Sequence, residues 1–282
     1  MPPLTQLSAA DFTFVTVGYA SASVIPDLWA SLPAGARLIV VDNGPPDGMA
    51  AWARENGVLY VPMDTNVGFG AACNEGAKYA NTDWLFFINP DVRLLKNSIE
   101  QLILGMRRSP NTFGFGPVMI DESGVRSFKR RSRLSPIRLP KVSAEADLAT
   151  PFLSGAALVM KRDAFEAIKG FDPNIFLYFE DDDISTRFTS RFGEFILISD
   201  FELVHLGAAA TAGIEGLSTF KEFHYGRSEI HVLMKHRGRA AAYWHFFLVL
   251  LRMCNFFEIA NKQHRQRRIA RLRGSISFFH TK

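Results

Sequence analysis

Along the first 110 residues, short apolar runs alternate with stretches whose apolar positions recur at helical spacing. The runs at 12–17, 37–41, 58–61 and 84–88 are rich in Val, Ile, Leu and Phe and too short for helices, which predicts strands buried on both faces. The segments 25–31, 49–56, 69–79 and 98–108 predict helices, with Pro33-Ala34-Gly35 and Gly57 as breakers. Alternation at this pace predicts an α/β fold, with a mostly parallel central sheet flanked by helices. In such sheets ligands sit beyond the carboxyl ends of the strands. Asp42 and Asp91 each follow directly on a predicted strand.

The rhythm then changes. A strand is expected at 113–120, then a long loop over 121–149 that carries Ser, Pro and many basic residues. Loops of that length are functional or disordered. A strand at 152–160, a helix opening at Lys161-Arg162-Asp163, a helix at 182–192 and a strand at 195–198 follow. From Gly216 the chain reads as helical to its end. Two units are therefore expected, an α/β domain over 1–215 and a helical, basic C-terminal extension over 216–282.

Composition sharpens this picture in three ways. With 282 residues, 48% of them hydrophobic, the chain can bury a sizeable core. The net charge is only +4, but it is unevenly spread. No acid occurs from 123 to 143, where Arg126, Lys129, Arg130, Arg131, Arg133, Arg138 and Lys141 lie, and none occurs from 261 to the end. Such segments suit anionic partners: phosphates, anionic lipids or nucleic acid. The two cysteines, Cys73 and Cys254, form neither a metal-ligand spacing nor a disulfide framework, which fits a reducing cytoplasmic setting. The N-terminus lacks the basic-then-apolar pattern of a secretory signal. No uncharged apolar stretch reaches the ~18–20 residues that span a bilayer. The run 240–251 is too short to span and suits a membrane interface, a cap on a core or a dimer contact.

Several positions are candidates for chemistry. Asp42, in Asp42-Asn43-Gly44, could accept hydrogen bonds from a ribose or base, or simply make a turn. The Gly-rich helix start Asn66-Val67-Gly68-Phe69-Gly70 could offer amides to an anion, or could allow close helix–sheet packing; it lacks the Gly-Lys-Ser/Thr ending of a P-loop. Asn89-Pro90-Asp91 places a carboxylate on a rigid turn, where Mg2+ or Mn2+ could bind. His205 lies at a later strand end and is either a ligand or structural. Glu180-Asp181-Asp182-Asp183 crowds four carboxylates after the aromatic run Phe176-Leu177-Tyr178-Phe179. That cluster reads either as a solvated helix start, favoured by the dipole, or as a catalytic acid group with one general base.

Taken in order, six segments resemble glycosyltransferase family 2, closest in pattern to its rhamnosyltransferase-like branch. They are Val40-Val41-Asp42-Asn43-Gly44, Asn66-Val67-Gly68-Phe69-Gly70 with Asn74, Ile88-Asn89-Pro90-Asp91-Val92, Phe152-Leu153-Ser154-Gly155-Ala156, Phe179-Glu180-Asp181-Asp182-Asp183 and His205-Leu206-Gly207. The resemblance covers roughly residues 12 to 210. It implies a GT-A fold and inverting transfer of a sugar, with dTDP-rhamnose as the expected donor, to a glycan or polyprenyl-linked acceptor of the cell envelope.

Residue by residue, the resemblance implies Asp181 as base with Glu180 beside it. It implies donor contacts from Thr16, Asp42, Asn66, Gly68, Phe69, Asn74, Asn89 and Asp91, and acceptor contacts from Glu180, Ser154 and Gly155. Mg2+ or Mn2+ would sit at Asp91 and His205. The sequence departs from the family pattern at Val17-Gly18-Tyr19, at Cys73 and at His205-Leu206-Gly207-Ala208-Ala209, which bears on the donor rather than the reaction. The C-terminal run with its basic tail would suit contact with the cytoplasmic face of the inner membrane, or a homodimer. Two other readings compete. A nucleotidyltransferase would want a Gly-rich basic signature near the N-terminus, which residues 4–14 lack. A nonenzymatic phosphate-, lipid- or nucleic-acid-binding protein would leave the acid cluster unexplained, and no nucleic-acid motif is present.

Overall fold

The computed structural model describes residues 6–140, 146–207, 216–253 and 262–280. Lys141, Ala208, Ala209, Cys254 and Lys282 lie outside them, as does the stretch just before the expected boundary at 215–216.

The elements run β1 (Phe12–Gly18), α1 (Ile25–Ser31), β2 (Arg37–Asp42), α2 (Met49–Glu55), β3 (Leu59–Pro62), α3 (Phe69–Ala77), β4 (Trp84–Ile88), β5 (Val92–Leu94) and α4 (Ser98–Arg108). There follow β6 (Gly114–Ile120), β7 (Arg126–Ser127), β8 (Leu148–Thr150), β9 (Ala157–Lys161), α5 (Arg162–Ala167), α6 (Glu180–Phe192) and β10 (Phe195–His205). Two long helices close the chain, α7 (Leu217–Arg252) and α8 (Lys262–His280).

One ten-stranded sheet has the order β3-β2-β1-β4-β9-β6-β10-β5, with β7 on β6 and β8 on β10. The parallel character is concentrated in β3-β2-β1-β4; beyond β4 the sheet is mixed, with β9 antiparallel to both β4 and β6. Along β1 and β4 the side chains alternate between two cores. Phe12, Phe14, Trp84 and Phe86 face α1, α2 and α4, whereas Val15, Val17, Leu85 and Phe87 face α3, α5 and α6. Burial on both faces explains why these strands read as unbroken apolar runs.

Two strands depart from expectation. Residues 152–156 form no strand, because side chains claim their amides. Phe152 N donates to Thr150 Oγ1, Leu153 N to Ser185 Oγ and Gly155 N to Asp181 Oδ2. Conversely, β10 continues past Ile198 through an irregularity before Glu202, where the Ser199 amide turns to Asp147 Oδ1. That extension carries the strand to His205, which pairs with Val92 of the short, unanticipated β5.

α7 is fastened to the α/β part by polar pairs, most of them partly buried. Lys235 reaches both Asp172 and Asp183 at 2.7 Å, His231 pairs with Asp172 and His236 with Asp183. Val232 packs with Ile175 and Phe179 in a small apolar cluster. The helix kinks at Gly238, whose backbone is not helical. Among the described residues no helix is long and apolar enough to cross a membrane.

Candidate active site

The parallel strands end at a cleft. β2 delivers Asp42, 6% exposed, whose Oδ2 accepts a 2.7 Å hydrogen bond from the Tyr60 hydroxyl. Burial, reinforced by that carboxylate, pushes the Tyr60 phenol up to about 12, so it remains a donor. Asn43 and Asn66 bridge the two loops: Asn43 Nδ2 donates to Asn66 Oδ1, and Val67 N donates to Asn43 Oδ1. Asp42, Tyr60 and Asn66 line a cavity of about 770 Å³ whose far wall is Phe176 with Phe220 and His224 of α7. The His224 imidazole stacks on Phe176 at 4.0 Å, and burial pulls its pKa down to about 4, so it is neutral. The helical extension therefore helps to build the cleft, which no local sequence signal indicated.

The Gly-rich helix start serves packing. Phe69 N donates to the Phe176 carbonyl, and a Cβ on Gly68, at φ +89°, would overlap that same group. Gly68 and Phe69 still line a smaller cavity next to the cleft, with Asn66 and Phe176. Two expected donor contacts lie apart from the residues that line these cavities. Asn74 is taken up by backbone, donating to Phe171 O and accepting from Phe171 N at 2.8 Å each, so it holds α3 to the turn before the acid cluster. Thr16 is fully buried in the middle of β1 and lines neither cavity of the cleft.

Asn89 and Asp91 follow β4. The Asn89 amide donates to Ala156 O, tying this turn to the Ser154-Gly155 loop. Asp91 Oδ1 lies 3.4 Å from His205 Nε2, brought together by the β5–β10 pairing. Neighbouring ligand atoms around a small divalent ion, bonded at 2.0–2.1 Å, stand about 3 Å apart. The pair therefore fits two positions of one metal shell. Among the described residues no group of three or more His, Cys, Asp or Glu forms a metal cage. Water and phosphate oxygens would fill the remaining positions, as is usual for Mg2+ and Mn2+ beside nucleotides.

The four acids open α6, and the structure separates them. Tyr178 and Phe179 both sit at φ +66°, a left-handed conformation costly for aromatic side chains, so packing holds the turn that presents Glu180 and Asp181. Asp181 Oδ2 receives Lys129 Nζ at 2.7 Å and Gly155 N at 3.2 Å, while Oδ1 accepts the Asp182 amide. Lys129 also binds Asp182. Burial opposes the Lys129 charge, but the two carboxylates outweigh it and raise its pKa. Asp182 further accepts the Arg133 amide. Asp183 is fully buried, and bonds from His236, Arg187 and Lys235 overcome the cost of burial and hold its pKa below normal. Neither Asp182 nor Asp183 is a solvated first-turn acid.

Glu180 behaves in the opposite way. Its Oε2 is shut off from solvent and has no hydrogen-bond partner. Burial first, and the Asp181 charge second, push its pKa up to about 8. Glu180 thus holds its proton well above the pH at which an ordinary glutamate loses it. Because the folded pKa lies above the unfolded one, its contribution to stability is full below about pH 4.5 and is lost as pH rises through about 8. Glu180→Gln is expected to remove that loss. Between pH 5 and 8.5 the variant's melting temperature should fall less than the wild type's, and parallel profiles would refute the assignment.

The basic loop closes over these acids. β7 pairs with β6, Arg131 bridges Arg138, and Lys129, Ser154 and His205 line one cavity of about 160 Å³. Lys129, the residue touching the candidate base, was legible only as one cation in an acid-free run.

Residues 13–169 match the family described as glycosyl transferase family 2. An N-acetylglucosaminyl-diphospho-decaprenol L-rhamnosyltransferase of Mycobacterium tuberculosis is 26% identical over an alignment of 243 positions that covers 73% of this chain and 78% of that protein. Among solved structures, GalNAc-T7 with UDP, GalNAc and Mn2+ is similar with a TM-score of 0.60 at 14% identity, over 96% of this chain and 56% of that one. The mannosyltransferase PcManGT from Pyrobaculum calidifontis, in complex with GDP-Man and Mn2+, gives 0.57 at 13% identity, over 96% and 88%. At these identities the likeness establishes the GT-A architecture.

Proposed function

The chain belongs to glycosyl transferase family 2 and is a glycosyltransferase acting on a nucleotide sugar, and from that premise we propose that it inverts the sugar's anomeric centre, with Asp181 as general base. The donor is dTDP-rhamnose and the acceptor a polyprenyl-diphosphate-linked glycan. The mycobacterial relative supports rhamnose as the sugar and a lipid-linked acceptor, being named as an L-rhamnosyltransferase of an N-acetylglucosaminyl-diphospho-decaprenol. The observation that carries the reading is Asp181 itself. It stands at the head of α6 on a strained turn, wired to Lys129 and to the Ser154-Gly155 loop that also contacts the Asn89-Pro90-Asp91 turn.

In the proposed reaction the nucleoside enters the cleft at Asp42 and Tyr60, between the β2 end and Phe176. The acceptor hydroxyl attacks the anomeric carbon from the face opposite the nucleoside diphosphate. As that bond forms, its proton passes to Asp181 Oδ1, which has a lone pair left beyond its contact with the Asp182 amide. The bond to the diphosphate oxygen breaks in the same displacement, and the nucleoside diphosphate leaves. Lys129 keeps Asp181 oriented and balances its charge before the transfer. Glu180, whose pKa is raised by burial and by the Asp181 charge, contacts the acceptor with Ser154 and Gly155. Asp91 and His205 would hold a divalent ion, Mg2+ or Mn2+, which neutralises charge on the diphosphate.

Thermal unfolding with dTDP, UDP or GDP, each with and without Mn2+, tests the donor half. Stabilisation by dTDP plus Mn2+ is expected, lost in Asp42→Ala, with the Mn2+-dependent part lost in His205→Ala. A preference for UDP or GDP would overturn the dTDP assignment. Stabilisation by RNA alone would favour a nucleic-acid-binding protein instead.

A further inference from the structure

β5 is a slender support for a residue as exacting as Asp91. It is three residues long, lies at the edge of the sheet and is paired on one side with β10. An edge strand leaves its outward amides and carbonyls without a neighbouring strand. The turn before it is closed by one hydrogen bond, from Val92 N to Asn89 O at 3.2 Å.

Arg93 gathers these loose ends. Its Nη1 donates to Pro90 O and to Val92 O, both at 2.9 Å. Its Nη2 donates to Val24 O at 2.9 Å and to Asp27 Oδ2 at 3.2 Å. Pro90 and Val92 are the two neighbours of Asp91 in the chain. Val24 is the residue that caps the start of α1. The guanidinium therefore clamps both flanks of Asp91 and ties them to α1, which also takes Leu94 N through Ser31 Oγ at 3.1 Å. Four bonds equal the number of terminal N–H groups on an arginine, so none of these donors is left over for a phosphate. The Arg93 side chain is 14% exposed, whereas Asp27 is 71% exposed. An exposed ion pair contributes little, so the three carbonyl contacts carry the clamp.

The opposite side of the turn is fixed by backbone. Leu206 N donates to Asp91 O at 3.0 Å, and Asn89 N donates to Ala156 O at 2.9 Å. Between this fixed side and the Arg93 clamp, the Asp91 carboxylate is held 3.4 Å from His205 Nε2. Small divalent ions tolerate little departure from ideal ligand geometry, so a carboxylate on an edge strand needs such bracing. A lysine could not supply it. Its ammonium is a single point of donation, whereas the planar fork reaches the turn with one nitrogen and α1 with the other.

We infer that Arg93 is a positioning residue for the metal site: it acts through Asp91, setting the carboxylate against His205, and touches neither ion nor substrate. The inference rests on the divalent ion proposed above for Asp91 and His205.

Mn2+ binding to the full chain tests it, followed through the electron paramagnetic resonance signal of free Mn2+ with dTDP at saturation. Arg93→Ala should weaken Mn2+ about 10–100-fold, the range lost when a residue that orients a metal ligand is removed. Arg93→Lys should weaken it as well, and it decides the matter if the alanine variant does not fold. Affinity for dTDP without metal should stay at the wild-type value in both, a split that general loosening of the fold would not produce. Asp27→Asn should leave Mn2+ affinity unchanged, because it removes only the exposed arm of the clamp. Unchanged Mn2+ affinity in the Arg93 variants overturns the proposal. An equal loss of metal-free dTDP affinity also overturns it and assigns Arg93 to the integrity of the fold. A wild-type chain that binds dTDP but no Mn2+ removes the metal site itself, and the role of Arg93 with it. Mn2+ binding that is equally strong in wild type and variants removes the role of Arg93 alone.

Discussion

Asp181→Asn is expected to abolish sugar transfer, by about 10²–10⁴-fold in kcat, the range lost when a general base is removed. Nucleotide binding with Mn2+ should stay near wild type, because the donor cleft is built from the β2 end, Asn66 and Phe176 rather than from Asp181. Folding should change only modestly, since the amide oxygen can still accept from the Gly155 or the Asp182 amide, one of the two bonds being kept, and Lys129 retains Asp182. Single-turnover transfer from a radiolabelled nucleotide sugar, alongside nucleotide affinity and melting temperature, measures all three. Retained turnover would sink the base assignment. Loss of nucleotide binding would show that Asp181 serves the donor instead.

Asp183→Ala, two residues away, is expected to do the reverse. Asp183 is fully buried and holds Arg187, Lys235 and His236 at 2.7–2.9 Å. Deleting it takes the carboxylate from Arg187 and leaves Lys235 with Asp172 alone, at a cost of about 3 kcal/mol, the lower end for breaking a buried pair. For a chain of this size that corresponds to a fall of roughly 10 °C in melting temperature. The loss should concentrate at the junction with α7, because Lys235 and His236 belong to that helix. Limited proteolysis should then cut near residue 216 faster than in wild type. Donor binding should weaken as well, since Phe220 and His224 of α7 form the far wall of the cleft. A melting temperature within about 2 °C of wild type would mean that α7 is held by other contacts.

The contrast between these variants shows what one run of acids can hide. Four consecutive carboxylates are one charge patch in a sequence. A helix turns about 100° per residue, so neighbours on its first turn face different surroundings. Glu180 has one carboxyl oxygen shut off and a raised pKa, Asp181 faces Lys129 and the Ser154-Gly155 loop, Asp182 ties down the basic loop, and Asp183 anchors the C-terminal helix. The dipole of the α6 start, which could account for solvated acids there, accounts for none of the four by itself.

Sequence alone determined the alternation of strands and helices through residue 108, the short β5 apart, because strands buried on both faces and helices buried on one leave periodicities that need no partner to be read. It also placed Asp42 and Asp91 at strand ends, since that position follows from where each apolar run stops. Tertiary structure decided the rest. His205 reaches Asp91 only because β10 runs on through its irregularity to pair with β5. Asn74 became a backbone brace and Thr16 an interior residue because Phe171 and the sheet core lie against them. Tyr60, Lys129, Phe176 and His224 entered the cleft and the acid site from segments up to 164 positions apart, Tyr60 to His224. Such meetings depend on how elements pack, and packing couples residues whose separation along the chain carries no local signal.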